Sequence, residues 1–216
     1  MHRLLRCAAG ALLAFSAADA SAQSVGVVAG TTGIGAEVGI KVTPFVGARI
    51  TSGYLSISRK IDVDDIDYDG DARLLSFGLL GDVHPFAGGF RLTAGAMLNR
   101  NKVDVTATPG GSVSIGGTTY TPAQIGRLDG RVDFRDIAPY AGVGYTLGVI
   151  ATGLQFTLDL GVMFQGSPRV DLTASGPITQ TPGFAQNLER ERQELEDELD
   201  WVKYYPVVKV GVAYRF

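Results

Sequence analysis

The sequence predicts an all-β fold, a transmembrane antiparallel up-and-down β-barrel of eight strands with a helical excursion before the last one. Three observations carry this expectation. Apolar and polar residues alternate strictly over runs long enough to cross a bilayer, short turns alternate with long connections, and the chain ends on an alternating run closed by an aromatic residue.

The first 22 residues read as an export signal. Arg3 and Arg6 give a positive start, Cys7 to Ala18 is a short apolar core, and Ala20-Ser21-Ala22 is a small-residue cleavage site. The apolar run falls well short of the roughly 20 residues a spanning helix requires. Cys7 stands at the start of the apolar core, directly after Arg6, and not behind it, which argues against a lipoprotein anchor. The mature chain is expected to begin at Gln23 and to form one domain, the barrel with its loops, over residues 23–216.

Removing residues 1–22 takes out Arg3, Arg6 and Asp19 and leaves 194 residues with a net charge of −4. A mildly acidic chain offers no broad basic face, so nucleic acid is excluded as a partner. Cys7 is the only cysteine, so the mature protein is expected to hold no disulfide, thiol nucleophile or cysteine metal site.

Strand patterns decide between water and lipid. Leu154, Phe156, Leu158, Leu160, Val162 and Phe164 share one face, and Gln155, Thr157, Asp159, Gly161, Met163 and Gln165 share the other. Val208, Val210, Val212, Tyr214 and Phe216 alternate with Lys209, Gly211, Ala213 and Arg215, and Ile34 to Val42 repeats the pattern around Gly35, Glu37, Gly39 and Lys41. These runs approach the roughly 9 to 11 residues of a tilted membrane strand. Their polar faces are rich in glycine, which suits a narrow lumen. In lipid every backbone polar group must be paired, so strands can span only as a closed barrel.

Seven strands are readable, at 33–42, 46–57, 73–83, 90–99, 132–146, 153–165 and 205–216. Bacterial barrels of this kind have an even number, so a short first strand over 24–29 is expected as the eighth. Leu74 and Leu80 would then face the lumen. Short turns fall at 43–45, 84–89 and 147–152. Surface loops are expected near 59–72, 100–131 and 166–204, facing outward, with both mature termini in the periplasm.

The ending Val-Lys-Val-Gly-Val-Ala-Tyr-Arg-Phe carries a family resemblance. The chain resembles the small OmpA/OmpX-type outer-membrane barrel proteins over nearly its whole mature length. The resemblance implies that Tyr214 and Phe216 form the signal read by the barrel-assembly machinery. OmpA itself adds a peptidoglycan-binding domain after its barrel; only the barrel is expected here, so that activity is not implied.

Parity places Glu37, Lys41, Arg49, Asp82, Arg91, Asp159, Lys209 and Arg215 in the lumen. Three acids and five bases can pair there, and an eight-stranded barrel is just wide enough for side chains to fill. A salt-bridged core that closes the barrel is the preferred reading. A narrow channel or transporter for small or hydrophobic solutes, its selectivity set by the same charges, is the alternative.

Asp65, Asp67 and Asp69, followed by Gly70, match the opening of a calcium loop. The twelfth position is Ser76, where an EF-hand needs a bidentate Glu. A solvated acidic loop is preferred, and no metal or other cofactor is expected. Residues 182–201 read as a charge-laced helix with Leu188, Leu195, Leu199 and Val202 as a narrow stripe, capping or plugging the barrel mouth. Thr121-Pro122 opens a second, short helix.

Barrel enzymes need a nucleophile or activated water beside a general base. His84, in a turn before Pro85, is the one histidine outside the signal. A lipid A-modifying enzyme is therefore disfavoured. The expected function is a non-enzymatic integral protein of the cell outer membrane with a structural or surface-interaction role. Its partners would be outer-membrane lipids and lipopolysaccharide.

Overall fold

The structure, a computed structural model, describes residues 23–63, 66–149 and 152–216. The expected signal peptide lies outside them. In chain order the strands are β1 (Gln23–Gly30), β2 (Gly33–Lys41), β3 (Val46–Val63), β4 (Ile66–Val83), β5 (Phe90–Asn99), β6 (Lys102–Pro109), β7 (Val113–Ile115), β8 (Thr118–Tyr120), β9 (Leu128–Asp133), β10 (Ile137–Gly148), β11 (Leu154–Phe164), β12 (Arg169–Ala174) and β13 (Tyr204–Arg215). Helix α1 (Pro122–Ile125) precedes β9, and helix α2 (Phe184–Glu198) precedes β13.

Eight strands close on themselves in the order β1, β2, β3, β4, β5, β10, β11, β13, every neighbour antiparallel. The seam is the pairing of β1 with β13, running from Ser24 opposite Arg215 to Gly30 opposite Lys209. The expected short first strand is thus the piece that completes the ring. Closure satisfies the backbone without an edge, the condition for crossing lipid.

Side-chain parity does the rest. Val27, Ile34, Leu79, Phe156, Leu158, Leu160, Val210 and Val212 all point outward and are exposed, with Ile34 at 71% and Leu79 at 66%. A contiguous apolar belt of this size on a protein surface marks a lipid contact. Aromatic residues flank it: Phe45, Phe86, Tyr214 and Phe216 at the end carrying the short turns, and Phe164, Trp201 and Tyr204 at the other. Such girdles place amphipathic rings at the two membrane interfaces. Among the described residues no helix is long and apolar enough to cross a membrane.

The expected loops require correction, because they are folded. The 59–72 segment is no loop: β3 and β4 are each 18 residues long and pair from Val46 opposite Val83 to Val63 opposite Ile66. At about 3.3 Å per residue each runs about 60 Å, twice a hydrocarbon core. The inner half of β4 pairs with β5 in the barrel, and its outer half pairs with β6. Strand β9 pairs with β6, and β12 with β9, so the 100–131 and 166–204 segments extend one sheet beyond the barrel. The predicted 132–146 strand is two elements, since residues 132–133 belong to β9 and the barrel strand starts at Ile137.

This crown has its own core. Gly116 and Gly117, both at positive φ, form the two-residue turn joining β7 and β8. Ile115, Tyr120, Ile125 and Phe184 are buried together, with the Tyr120 and Phe184 rings edge to face at 5.3 Å. Helix α2 is tied to the hairpin by Glu191 Oε2 accepting from Gly116 N and Arg190 Nη1 donating to Gly116 O, both at 2.8 Å. Helix α1 carries the expected Thr121 cap and proline start, with Gln124 reaching back to Thr121 N. The predicted 182–201 helix is α2, which packs on β12.

Candidate functional site: the filled lumen

The lumen is stacked in layers. The ionic layer stands nearest the short turns. Arg49 on β3 is its centre: Nη1 lies 2.9 Å from Glu37 Oε1, Nε 2.6 Å from Asp82 Oδ2, and Nη2 3.2 Å from Asp159 Oδ1. Arg91 Nη2 holds Asp159 at 2.8 Å, and Lys209 Nζ sits 3.8 Å from Glu37 Oε2 and donates to Thr51 Oγ1 at 3.1 Å. Thr93 Oγ1 donates to Asp82 Oδ1 at 2.6 Å. All six charged side chains are buried. Taking ions out of water is costly unless each is paired and hydrogen-bonded, and three carboxylates against three cations meet that demand almost completely.

Next comes an apolar layer. Leu80, Met97, Ala138, Tyr140, Met163 and Val207 form one buried cluster, each with 3% of its surface exposed or less. Glycine lets the bulky ring fit, since a Cβ at Gly161 would sit 2.4 Å from Tyr140 Oη. Above it a polar joint links barrel to crown. Asn99 Nδ2 donates to Gln165 Oε1 at 3.2 Å, Gln165 Nε2 donates to Val202 O at 3.0 Å, and Asn101 Oδ1 accepts from Leu75 N at 3.1 Å. Charges, apolar side chains and amides thus occupy successive levels of the bore.

The closed ring of eight strands, the lipid-facing belt and the aromatic girdles decide the class. This is an outer-membrane β-barrel. Two Acinetobacter baumannii structures share its fold: CarO2, 24% identical with a TM-score of 0.63 over 90% of this chain and 98% of that one, and CarO, 25% identical with a TM-score of 0.60 over 89% and 97%. No family model and no curated sequence matches the chain.

The barrel brings six of the eight expected lumen charges into one network. Lys41 and Arg215 stand apart from it at the turn-end mouth, where Arg215 is exposed. Parity puts all eight on the inner face, but height along the strand separates rim from core. Tyr214 and Phe216 are exposed and pack edge to face at 5.1 Å on the turn-end girdle.

Asp67 and Asp69 lie on β4, not in a loop, and Asp69 pairs with Lys60 at 2.7 Å; Asp65 lies outside the described residues. His84 is buried beside the turn-end mouth. The apolar layer was not anticipated from the sequence, though Leu80 and Met163 on otherwise polar faces, and Tyr140 in phase with Gly142 and Gly144, were its signal.

Proposed function

We propose that this protein is a non-conducting, non-enzymatic barrel of the OmpA/OmpX type that anchors a folded crown at the cell surface, with a structural or surface-interaction role. The observation that carries this reading is the filled lumen: a balanced ionic layer and an apolar layer lie in series across a barrel with no spare radius. A narrow channel or solute transporter has less support, since any path must part both layers. The crown, with its own core, is the part built to meet a partner.

Orientation follows from the barrel architecture, in which short turns face the periplasm and long segments face outward. Arg100, Lys102, Arg135 and Arg169 line one concavity at the joint together with Asp133 and Asp136, four cations to two carboxylates, next to Ile137 of the lipid belt. That height is where lipopolysaccharide phosphates would meet the protein, and guanidinium groups suit phosphate. Tyr214 and Phe216 would serve the barrel-assembly machinery from the periplasmic rim. Against a lipid A-modifying activity, His84 is at the opposite end from the outer leaflet in this orientation.

The test uses single cysteines, because the sequence outside residues 1–22 has none. With a membrane-impermeant maleimide on intact cells, Glu194→Cys in the crown labels at once, and Pro44→Cys in a turn labels only after permeabilisation. The reverse pattern would overturn the orientation and the surface role. Unchanged lipid A masses on expression are expected as well, and a new acyl or phosphate mass difference would restore the enzymatic reading.

A further inference from the structure

The ionic layer balances three carboxylates with three cations, so the turn-end mouth keeps a surplus. Among the described residues Lys41 and Arg215 make no ion pair and no side-chain hydrogen bond. Ser24 of β1 is opposite Arg215 on one side and Gly39 on the other, which puts the two cations on flanking strands at one rim, their backbones about 12 Å apart across two strand spacings and two residues of rise.

Between them opens a cavity of about 520 Å³, lined also by Arg91, His84, Ser24 and Gln155. Pockets for small molecules run from roughly 300 to 1,000 Å³. Two buried side chains in its wall carry a nitrogen with no hydrogen-bond partner, each such atom lying beneath the cavity surface. Arg91 is 3% exposed; Nη1 donates to Thr146 Oγ1 and Nη2 to both Asp159 oxygens, while Nε has no hydrogen-bond partner among the described residues and lies 3.9 Å from Asp82 Oδ1 as an ion pair. His84 is 5% exposed, and its Nδ1 is likewise without a partner.

The one carboxylate in the lining is already committed. Asp82 takes Arg49 Nε and Nη2 and Thr93 Oγ1. What the walls offer a visitor is therefore positive charge: the Lys41 ammonium and the Arg215 guanidinium at the rim, with the buried Arg91 guanidinium and His84 imidazole behind them. Two uncompensated cations at a low-dielectric rim attract a counter-charge. A multivalent oxyanion answers both cations at once.

We infer that this vestibule binds a small free oxyanion of the phosphate class, held by Lys41 and Arg215 above the buried Arg91 and His84. Planar guanidinium groups and a lysine ammonium are the side chains that recognise such ions. In the orientation proposed above the site opens to the periplasm, although binding itself does not depend on orientation.

The test is a titration of the folded barrel with inorganic phosphate in maltoside micelles, which carry no phosphate, at ionic strength held constant with chloride. The side-chain nitrogen resonances of His84 and Arg91 are the readout. Saturable shifts are expected, with half-saturation on the order of 1 mM. Lys41→Gln, checked for retained heat-modifiable migration, should weaken binding at least tenfold, and Lys60→Gln in the crown should leave it unchanged. Linear, unsaturated shifts, the same response to chloride, or wild-type saturation in a Lys41→Gln, Arg215→Gln double variant would each overturn the site. A response to short-chain phosphatidic acid with none to inorganic phosphate would overturn it as a free-ion site.

Discussion

Arg49 of β3 and Asp159 of β11 stand four strands apart in either direction round the ring, yet Nη2 of one lies 3.2 Å from Oδ1 of the other. The pair is a strut across the diameter of the barrel. Because Arg49 also holds Glu37 and Asp82, one guanidinium ties β3 to β2, β4 and β11 at once.

Removing that centre leaves three buried carboxylates facing two cations. Breaking a buried ion pair by deleting one partner typically costs about 3–5 kcal/mol. Arg49→Met is expected to lose about that much in urea unfolding of the refolded barrel, with a smaller loss for Lys209→Met, whose carboxylate contact is 3.8 Å. Equal and negligible losses would mean the charges are solvated and the lumen open.

The apolar layer depends on glycine. A Cβ on Gly161 would meet Tyr140 Oη at 2.4 Å, its Cζ at 2.6 Å and the Ala141 carbonyl oxygen at 2.7 Å. Gly161→Ala is expected to cost about 1–3 kcal/mol as an overpacking change. The part due to the ring should disappear in a Tyr140→Leu background, while the part due to the Ala141 carbonyl remains, and a double-mutant cycle measures the coupling. Simple additivity would place the ring elsewhere.

Crown and barrel have separate cores, so they should fail separately. Phe184→Ala removes a ring buried against Ile115, Tyr120 and Ile125, a truncation of the kind that costs about 3–5 kcal/mol. Limited proteolysis should then cut within 110–190 while the barrel keeps its heat-modifiable migration. Loss of both together would show one cooperative unit.

Helix α2 carries a pH response. Glu189 accepts hydrogen bonds from Arg192 and Gln193, which hold its carboxyl down to about 2 from an ordinary value of 4.5. A depressed carboxyl stabilises above its unfolded value and loses that support as the pH falls through its folded one. Helical circular dichroism should therefore decline between about pH 4.5 and 2, and Glu189→Gln should remove that part of the decline. An unchanged profile in the variant would assign the transition to other groups.

The barrel was legible in the sequence because lipid outside and a filled lumen inside impose a strict two-residue period, down to the short β1. The crown was not. Beyond the membrane the outer halves of β3 and β4 lose their lipid face, so Asp62 to Asp71 reads as a solvated loop although it is paired strand wherever described. Parity likewise put Lys41 and Arg215 with the buried charges, because it reports the face a residue takes and not its height. The polar joint of Asn99, Asn101 and Gln165 with the Leu75 and Val202 backbone arises from tertiary pairing of four separate segments, which spacing along the chain does not encode.

Electrical recording of purified protein in planar bilayers tests the closed lumen most directly. The account predicts a silent membrane for the wild type, with current appearing when Leu80→Ala, Met97→Ala and Met163→Ala are combined with Arg49→Ala in a variant that still migrates as a folded barrel. Steady, ohmic steps from the wild-type protein would contradict it, and the ionic layer would then be the selectivity filter of a pore.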